Sequence, residues 1–335
     1  MPGTGPYMIG RFSPKRSLTL VRSPHFVRWS SAAQPDGYPD KILWKGYPDQ
    51  AGAIAAVGAG SGADVIYVNR LLDRNASVTR LSQAYPQQVI NTQSYASHFL
   101  VLNAKVPPFN NPQARRAIAQ ALTADPTLAA IDGGTASCTI VPPGFPGQPT
   151  SCAHTENRTT AAATVRASGT AGATVHVYFL NRSPYAQLGK YVTEVLNQIG
   201  YHAILTLQDN YADSVYNPKT RPVNIEGETW FPDFPSESQF WLPVTCNPPS
   251  YLAALGSCNP TVDAAAGVAF AAQATNPSLA QLDWQHVYSL MDTDARLIPL
   301  DVPPGVRLLV SPRVANPEVT PNSVLAVLLD QFWVR

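Results

Sequence analysis

Charged residues are scarce in this sequence. Only 13% of its 335 residues are Asp, Glu, Lys or Arg, against about 25% in an average soluble domain. The 23 basic and 22 acidic side chains leave a net charge of +1. This balance excludes the strongly basic surface of an electrostatic nucleic-acid or membrane-surface binder. We therefore expect no nucleic-acid partner.

Within the given residues we expect no membrane-spanning segment and no signal peptide. The longest uncharged run, 238–262, is long enough to cross a bilayer, but it contains Pro243, Pro248, Pro249 and Pro260. A spanning helix would not tolerate these four prolines together. The N-terminus has neither a basic region followed by an apolar stretch nor a small-residue cleavage site.

Cysteine is rare, and none of the four cysteines forms a CxxC motif. They fall into two local pairs, Cys138 with Cys152 and Cys246 with Cys258, each in a stretch rich in Pro, Gly or Asn. An even number and local pairing favour two small disulfide loops in an oxidising compartment over a zinc site, and four unpaired core thiols are the remaining alternative. The six histidines show no i, i+4 pairing, so we predict no metal site and no cofactor.

Proline, by contrast, is abundant. The 32 prolines are nearly twice the usual share of about 5%. Three of them follow an Asn or Ser that suits a helix N-cap: Asn111-Pro112, Ser183-Pro184 and Asn276-Pro277. After Ser183 the apolar spacing predicts an amphipathic helix over 184–199, which Gly200 ends in a left-handed conformation.

Strand and helix patterns interleave along the chain. Alternating apolar residues predict strands at 17–22, 174–180, 202–208 and 305–310, so we expect an α/β fold. The order of strand 174–180, helix 184–199 and strand 202–208 predicts a βαβ unit with parallel strands. The stretch 153–173 is weakly patterned and fits either a short helix ending near Gly169 or a loop. At this length and 45% hydrophobic content we expect about two domains.

A glycine-rich segment, Gly58–Ala63, matches the GxGxxA form of the dinucleotide-binding fingerprint. That fingerprint requires a helix directly after the glycines, whereas Asp64–Val68 is typical of a strand. The alternative is an Ala-rich helix over 49–57 that the glycines end, and this is the interpretation we favour. A helix at 64–68 would support a Rossmann-type NAD(P)-dependent oxidoreductase.

Nothing in the sequence forms a convincing catalytic constellation, so we do not predict an enzyme. Glu226/Glu228 and Asp292/Asp294 lie two residues apart, and we interpret both pairs as solvated surface groups. The most distinctive segment is the aromatic stretch 228–235 around Asp233. A carboxylate among aromatics is costly to desolvate and usually meets a cation or backbone N–H groups. The alternative is that Asp233 initiates a turn or caps a helix beside a packed aromatic core.

Five motifs together resemble the bacterial extracellular solute-binding proteins of family 5, the dipeptide- and oligopeptide-capturing subunits of ABC importers. They occur in the family's order along the whole chain: Gly3-Thr4-Gly5-Pro6-Tyr7, Pro107-Pro108-Phe109-Asn110-Asn111 with Arg115–Leu122, Val141–Gly147, Trp230-Phe231-Pro232-Asp233-Phe234-Pro235, and Ile298-Pro299-Leu300. Cys246 and Cys258 also lie where several members carry a local disulfide.

The resemblance implies a two-lobed, periplasmic-binding-protein-like α/β fold of type II (cluster C-like) that encloses a solute as its lobes close. It assigns residues 1–102 to a partial first lobe, 103–298 to the second lobe and 299–335 to a return to the first. Asp233 matches the carboxylate that pairs with a peptide's N-terminal ammonium. Thr229, Trp230 and Phe231 match the strand that contacts peptide backbone, and Phe234 lies beside it.

The same resemblance implies a non-catalytic, monomeric binding protein that delivers a peptide-like solute to membrane permease subunits. It also implies an extracytoplasmic location. Full members have a region before the GTGPY motif that completes the first lobe, and a signal peptide and usually a lipid-anchored Cys before that region. The resemblance therefore implies a lipoprotein anchor outside this chain. The family's arginine for a ligand carboxylate is absent from Ser183–Leu188, and Ser236 replaces its second acidic residue. A sensory or regulatory relative that no longer transports is a further alternative.

Overall fold

The computed structural model describes residues 5–31, 36–67, 80–210, 222–305, 307–317 and 327–335. These residues form two compact units, one with the residues up to Gln93 and from Gly305 onward, the other with Ser94–Pro304. The predicted lobe boundaries at 102/103 and 298/299 differ from this division. The strands that end at Leu102 and begin at Leu297 pair with each other, which keeps both in the second unit.

The first unit consists of small antiparallel sheets. One sheet has the order β1 (Tyr7–Ser13), β2 (Ser17–Arg22) and β3 (Lys41–Lys45), which confirms the predicted strand at 17–22. A second sheet places β12 between β4 and β5, and a short pair joins β13 and β14. Their bounds are Val65–Tyr67 for β4, Val89–Asn91 for β5, Arg307–Val310 for β12, Val314–Ala315 for β13 and Trp333–Val334 for β14.

The glycine-rich segment ends a helix instead of beginning one. Helix α1 spans Gln50–Gly58, and its N-cap residue Asp49 accepts a 2.7 Å hydrogen bond from the Gly52 N–H. After the helix the backbone turns through Gly60 and Gly62 at φ values of +64° and +85°, then enters β4. Val68 lies outside the described residues. Since a strand follows the glycines, the dinucleotide-binding alternative is wrong.

A mixed six-stranded sheet forms the centre of the second unit. Its described strands have the order β7-β11-β6-β10-β8-β9. Strands β8 and β9 are parallel to each other and β10 is parallel to β8, whereas β6 is antiparallel to both β10 and β11. The strands span Ser97–Leu102 (β6), Thr135–Ala136 (β7), Thr174–Leu180 (β8), His202–Gln208 (β9), Ile225–Trp230 (β10) and Leu297–Val302 (β11). The predicted parallel pair β8–β9 is confirmed.

Helices cover both faces of this sheet, as parallel strands require. One apolar core lies on the face of Leu100 and Phe179, and another on the face of Phe99 and Trp284. The described helices of the unit are α2 (Pro112–Leu122), α3 (Pro126–Asp132), α4 (Arg158–Ala167), α5 (Tyr185–Gln198), α6 (Pro260–Gln273) and α7 (Pro277–Asp294). Among the described residues, no helix has the length and apolar character that crossing a bilayer requires.

Two of the three predicted N-caps are confirmed. The side chains of Asn111 and Asn276 accept hydrogen bonds from the N–H groups of Gln113 and Leu279. The predicted cap at Ser183 is wrong, because α5 begins one residue later and its cap position, Pro184, makes no side-chain hydrogen bond. The predicted left-handed glycine after α5 is confirmed at Gly200, whose φ is +111°. The weakly patterned stretch contains the short helix α4.

Both predicted disulfides are present in the second unit. Cys138 is bonded to Cys152 with their Cα atoms 5.4 Å apart, and Cys246 to Cys258 with their Cα atoms 5.1 Å apart. Each closes a loop that carries no regular strand of the central sheet. Each crosslink restricts the freedom of its loop in the unfolded chain.

Candidate functional site

The carboxyl ends of β8, β9 and β10 meet at one edge of the central sheet, because the three strands run in the same direction. Ligands of open α/β sheets bind beyond the carboxyl ends of the strands. Strand β6 begins at this edge, where Ser97 lies opposite Trp230. We call this the carboxyl edge, and all five residues predicted to contact ligand lie at it.

The loop that follows β10 exposes Phe231 and Phe234, which are 39% and 54% accessible. Asp233 lies between them and is also exposed, whereas Pro232 is buried. The Asp233 N–H donates a 2.8 Å hydrogen bond to Oε1 of the fully buried Gln239. This bond ties the loop to the interior and leaves the Asp233 carboxylate in a place that solvent reaches.

The loop that follows β8 contributes a cation that sequence reasoning missed. Arg182 is exposed, and its guanidinium lies 5.5 Å from the centre of the Tyr185 ring. The Tyr185 hydroxyl accepts a 3.3 Å hydrogen bond from the Thr229 hydroxyl at the end of β10. Because β8 and β10 are adjacent, the loops that carry Arg182 and Asp233 leave the sheet side by side.

Beneath this edge, Glu228 is buried, so its interpretation as a solvated group is wrong. Its side chain is 4% exposed and that of Glu226 is fully buried. Burial raises the pKa of the Glu228 carboxyl to about 8, although its hydrogen bond with the Thr229 backbone opposes the shift. Residues two apart on a strand share one face, and this face of β10 packs against the core of Phe99 and Trp284. Its polar side chains therefore enter a protein interior.

The second carboxylate pair is also not solvated. Asp292 is 4% exposed, and burial raises the pKa of its carboxyl to about 8 against an opposing hydrogen bond from the Ile140 N–H. Asp294 forms ion pairs of 2.6 Å with Arg115 and 2.7 Å with Arg296. Arg115 also donates to the Phe109 carbonyl. The contacts of Asp294 connect α7 to α2, whereas Asp292 is itself buried and accepts a hydrogen bond from the Ile140 N–H.

His98 has carboxylate neighbours in the fold that no sequence pattern indicated. Nδ1 of His98 lies 3.1 Å from Oδ1 of Asp301 and 3.8 Å from Oδ2 of Asp132. In the register of the sheet, His98 lies opposite Thr229 on β10, and its ring meets the Tyr185 ring edge to face at 5.5 Å. The three side chains come from distant parts of the chain, so no local spacing could indicate their meeting.

A family model settles the evolutionary relationship of the chain. The model of the bacterial extracellular solute-binding proteins, family 5 (middle region), matches residues 1–251. The chain belongs to this family. The predicted resemblance is therefore confirmed, and family 5 is by its description a family of extracellular solute-binding proteins. No curated protein sequence matches this family 5 chain significantly.

Solved structures of peptide-binding proteins share the fold of the family 5 chain. The clavulanic acid biosynthesis oligopeptide binding protein 2 is 20% identical with a TM-score of 0.84, over 98% of this chain and 63% of its own. The ABC transporter-associated periplasmic binding protein DppA from Helicobacter pylori, in complex with the peptide STSA, is 17% identical with a TM-score of 0.77, over 99% and 63%. The Haemophilus influenzae OppA complex with the peptide RPPGFSPFR is 15% identical with a TM-score of 0.73, over 99% and 64%.

These matches confirm the predicted fold class, the α/β fold of the two-lobed periplasmic peptide-binding proteins. The chain spans just under two thirds of the length of each of these three structures. At these identities the structural similarity establishes the fold of the chain. The ligands named for those structures are ligands of those proteins.

Proposed function

We propose that this chain is the substrate-binding component of an ABC importer, which captures a peptide or peptide-like solute and delivers it to a permease in the membrane. The observation that supports this most directly is the pair of opposite charges at the carboxyl edge, Asp233 after β10 and Arg182 after β8. A peptide with free termini carries an ammonium at one end and a carboxylate at the other. The two loops offer a partner for each.

The ammonium of the peptide binds Asp233. An ammonium has three donors, and a carboxylate accepts them with charge-assisted hydrogen bonds. The hydrogen bond from the Asp233 backbone to buried Gln239 fixes the loop before ligand arrives, which lowers the entropic cost of binding. Phe231 and Phe234 flank the carboxylate, and a bound peptide would cover them and exclude water from the ion pair. Desolvation strengthens such a pair.

The carboxylate of the peptide binds Arg182. Its guanidinium is planar and suited to two parallel hydrogen bonds with a carboxylate. The Tyr185 ring beneath it holds the guanidinium by a cation–π contact, worth about 0.5–1 kcal/mol at an exposed site. Thr229 in turn fixes the Tyr185 hydroxyl. Arg182 thus supplies the second ionic anchor that is missing from 183–188, and Thr229 and Trp230 present the end of β10 between the two anchors.

The remaining parts of the proposal follow from the family. The chain acts without catalysis, as a monomer, outside the cytoplasm and with a permease as its protein partner, and a lipoprotein anchor holds the whole protein at the membrane. Two disulfides support the extracytoplasmic location, since such bonds persist in oxidising compartments. The family description as extracellular solute-binding proteins supports the same location.

A three-ligand comparison tests the proposal. Isothermal titration measures the affinity of the chain for a peptide with free termini, its N-acetylated form and its C-amidated form, starting from a defined peptide pool. We expect each blocked form to bind about 10- to 100-fold more weakly, in line with loss of one partner of a desolvated pair. The Asp233→Asn variant should bind the N-acetylated and free peptides with equal affinity. The Arg182→Gln variant should bind the C-amidated and free peptides with equal affinity.

Glu194→Gln and Arg166→Gln are the matched controls, because both residues are exposed on helices of the same unit and neither is at the carboxyl edge. Both controls should retain the full preference for free termini. The proposal fails if no peptide binds, or if Asp233→Asn still discriminates against the acetylated peptide as the parent chain does.

A further inference from the structure

Three side chains with metal-ligating atoms meet in the interior of the second unit. They are His98 on β6, Asp132 at the end of α3 and Asp301 on β11, and their ligand atoms all lie within 4.8 Å of one another. The residues are 3%, 1% and 0% exposed. A cluster so completely removed from water differs from the acidic groups that share a protein surface.

The distances in this cluster fit a small divalent cation. Zinc binds His nitrogen and carboxylate oxygen at about 2.0–2.2 Å, so two ligand atoms of a tetrahedral site lie about 3.3–3.6 Å apart. Here Nδ1 of His98 is 3.1 Å from Oδ1 of Asp301 and 3.8 Å from Oδ2 of Asp132. The two separations bracket the tetrahedral value, so shifts of a few tenths of an ångström bring the atoms to coordination distance.

Asp301 provides an independent indication of a missing ligand. Its Oδ2 atom is buried and has no hydrogen-bond partner among the described residues. An unpaired carboxylate oxygen in the interior costs free energy that a hydrogen bond or a cation would recover. A divalent cation held by the imidazole and the two carboxyl groups would supply the partner that this oxygen lacks.

The surrounding chain holds these atoms in place without a bound ion. Gly133 ends α3 in a left-handed conformation with φ of +70°, and the turn then brings Gly134 so close to β11 that an added Cβ would lie 2.5 Å from Oδ2 of Asp301. This close approach places the end of α3, with Asp132, beside β11. The Tyr185 ring packs edge to face on His98. The site is therefore preorganised by three elements and one aromatic ring.

We propose that His98, Asp132 and Asp301 bind one divalent transition-metal cation, with Zn²⁺ as the preferred ion, as a structural site of the second unit. One imidazole and two carboxylates suit such an ion, and Oδ2 of Asp301 or a water completes the fourth position. Since the ligand atoms are buried, the ion enters as the chain folds. This site lies in the interior of the second unit, and the test of metal binding does not require peptide capture.

The test begins with the whole chain, unfolded in denaturant with a chelator and with its disulfides intact. The chain is refolded with Zn²⁺, Ca²⁺ or no metal, passed through gel filtration, and its metal content is measured by mass spectrometry. We expect one Zn²⁺ per chain, no retained Ca²⁺, and a midpoint of denaturant unfolding that rises with Zn²⁺ concentration. Co²⁺ in place of Zn²⁺ should give the visible absorption of a tetrahedral site.

Variants locate the ion. Asp301→Asn and His98→Gln should each lower Zn²⁺ affinity by more than about 100-fold, because loss of an outer-shell partner alone costs about 10- to 100-fold. The exposed residues His202 and Asp209 provide the controls His202→Gln and Asp209→Asn, which should retain full binding. Circular dichroism checks that every variant folds.

Three results would overturn the site: no Zn²⁺ retained by the refolded chain, Zn²⁺ retained equally by Asp301→Asn and His98→Gln, or Zn²⁺ lost with the His202→Gln control. If both site variants fail to refold, the Co²⁺ spectrum of the parent chain decides. A tetrahedral spectrum supports the site, and an octahedral spectrum of surface-bound ion refutes it.

Discussion

The hydroxyl of Thr229 donates a hydrogen bond to the hydroxyl of Tyr185, 3.3 Å away. This contact joins the end of β10 to the first residue of α5, the helix that follows the neighbouring parallel strand β8. It connects the loop of Asp233 with the loop of Arg182. We therefore expect a change in one loop to alter the position of the other.

Replacing Thr229 with Val removes this hydrogen bond and preserves the shape of the side chain. We expect a loss of stability of about 1 kcal/mol, typical of one hydrogen bond, and a several-fold loss of peptide affinity because the Tyr185 ring no longer holds Arg182 in place. Denaturant unfolding and titration with the free peptide measure the two effects.

Thr193→Val is the matched control for that change. The Thr193 hydroxyl bonds the Gly189 carbonyl within α5, so the same substitution should alter stability and leave peptide affinity unchanged. Equal losses of affinity in both variants would show that the Thr229 contact has no special role.

Glu228 should make the stability of the chain fall as pH rises. Burial raises its pKa from 4.5 to about 8. Below pH 4.5 the carboxyl is protonated in both the folded and the unfolded chain, so it does not lower stability there. As pH rises from 4.5 toward 8, only the unfolded chain readily loses this proton, and the free energy of unfolding falls. Each pKa unit corresponds to about 1.4 kcal/mol. Glu228→Gln should therefore be more stable than the parent at pH 8, with a smaller advantage at pH 5.

Chemical unfolding at pH 5, 6.5 and 8 measures this effect, and Glu194→Gln, on an exposed site, should follow the parent at each pH. A parallel pH profile for parent and Glu228→Gln would contradict the burial argument. Asp292 responds in the same direction, because burial also raises the pKa of its carboxyl to about 8. The Glu228→Gln variant should therefore keep some pH dependence.

Arg115 should be one of the more sensitive positions of the chain. It is 4% exposed, pairs with Asp294 at 2.6 Å and donates to two backbone carbonyls. Arg115→Met leaves Asp294 with only Arg296 as its ionic partner, and removing one side of a buried pair costs about 3–5 kcal/mol. The adjacent Arg116 is exposed, so Arg116→Met should change the free energy of unfolding little. Equal effects at both positions would refute the role of the pair.

Both disulfides should contribute to stability to a similar extent. They close loops with sequence separations of 14 and 12, for which loop entropy predicts about 3 kcal/mol each. Cys138→Ser/Cys152→Ser and Cys246→Ser/Cys258→Ser should each lower the free energy of unfolding by that order. Peptide mapping without reduction should recover the same two linked pairs from exported protein, and four free thiols there would remove the support for an oxidising compartment.

Local patterns in the sequence predicted much of the fold. Asn111 and Asn276 were correctly identified as caps because a cap depends on its own helix turn, and β8, α5 and β9 followed from apolar spacing. The cap predicted at Ser183 was wrong because α5 begins at Tyr185, which moves the cap position to Pro184. The compact units begin and end at other residues than the predicted lobes, because the pairing of β6 with β11 joins residues that are far apart in the chain.

The candidate site was only partly visible from the sequence. The loop of Asp233 was found through its aromatic composition and its family motif, and its contact with ligand remains a prediction. Glu228 was misassigned because spacing places it on the same face as Glu226 but cannot say which face of the strand another layer will cover. His98 gave no signal, since its partners Asp132 and Asp301 come from other elements. Arg182 was missed because it lies one residue before the stretch 183–188 in which the family's arginine was expected.

The alternation along β10 also limits how this protein can be redesigned. Thr229 and Gly227 point toward one layer of helices, whereas Glu228 and Glu226 enter the other, and a Cβ on Gly227 would collide with the Phe179 ring. Inserting or deleting a single residue in the strand would exchange the two sets. New ligand preferences should therefore be sought by varying 231–236 and 181–183, where the chain length can change without moving a buried acid into an apolar layer.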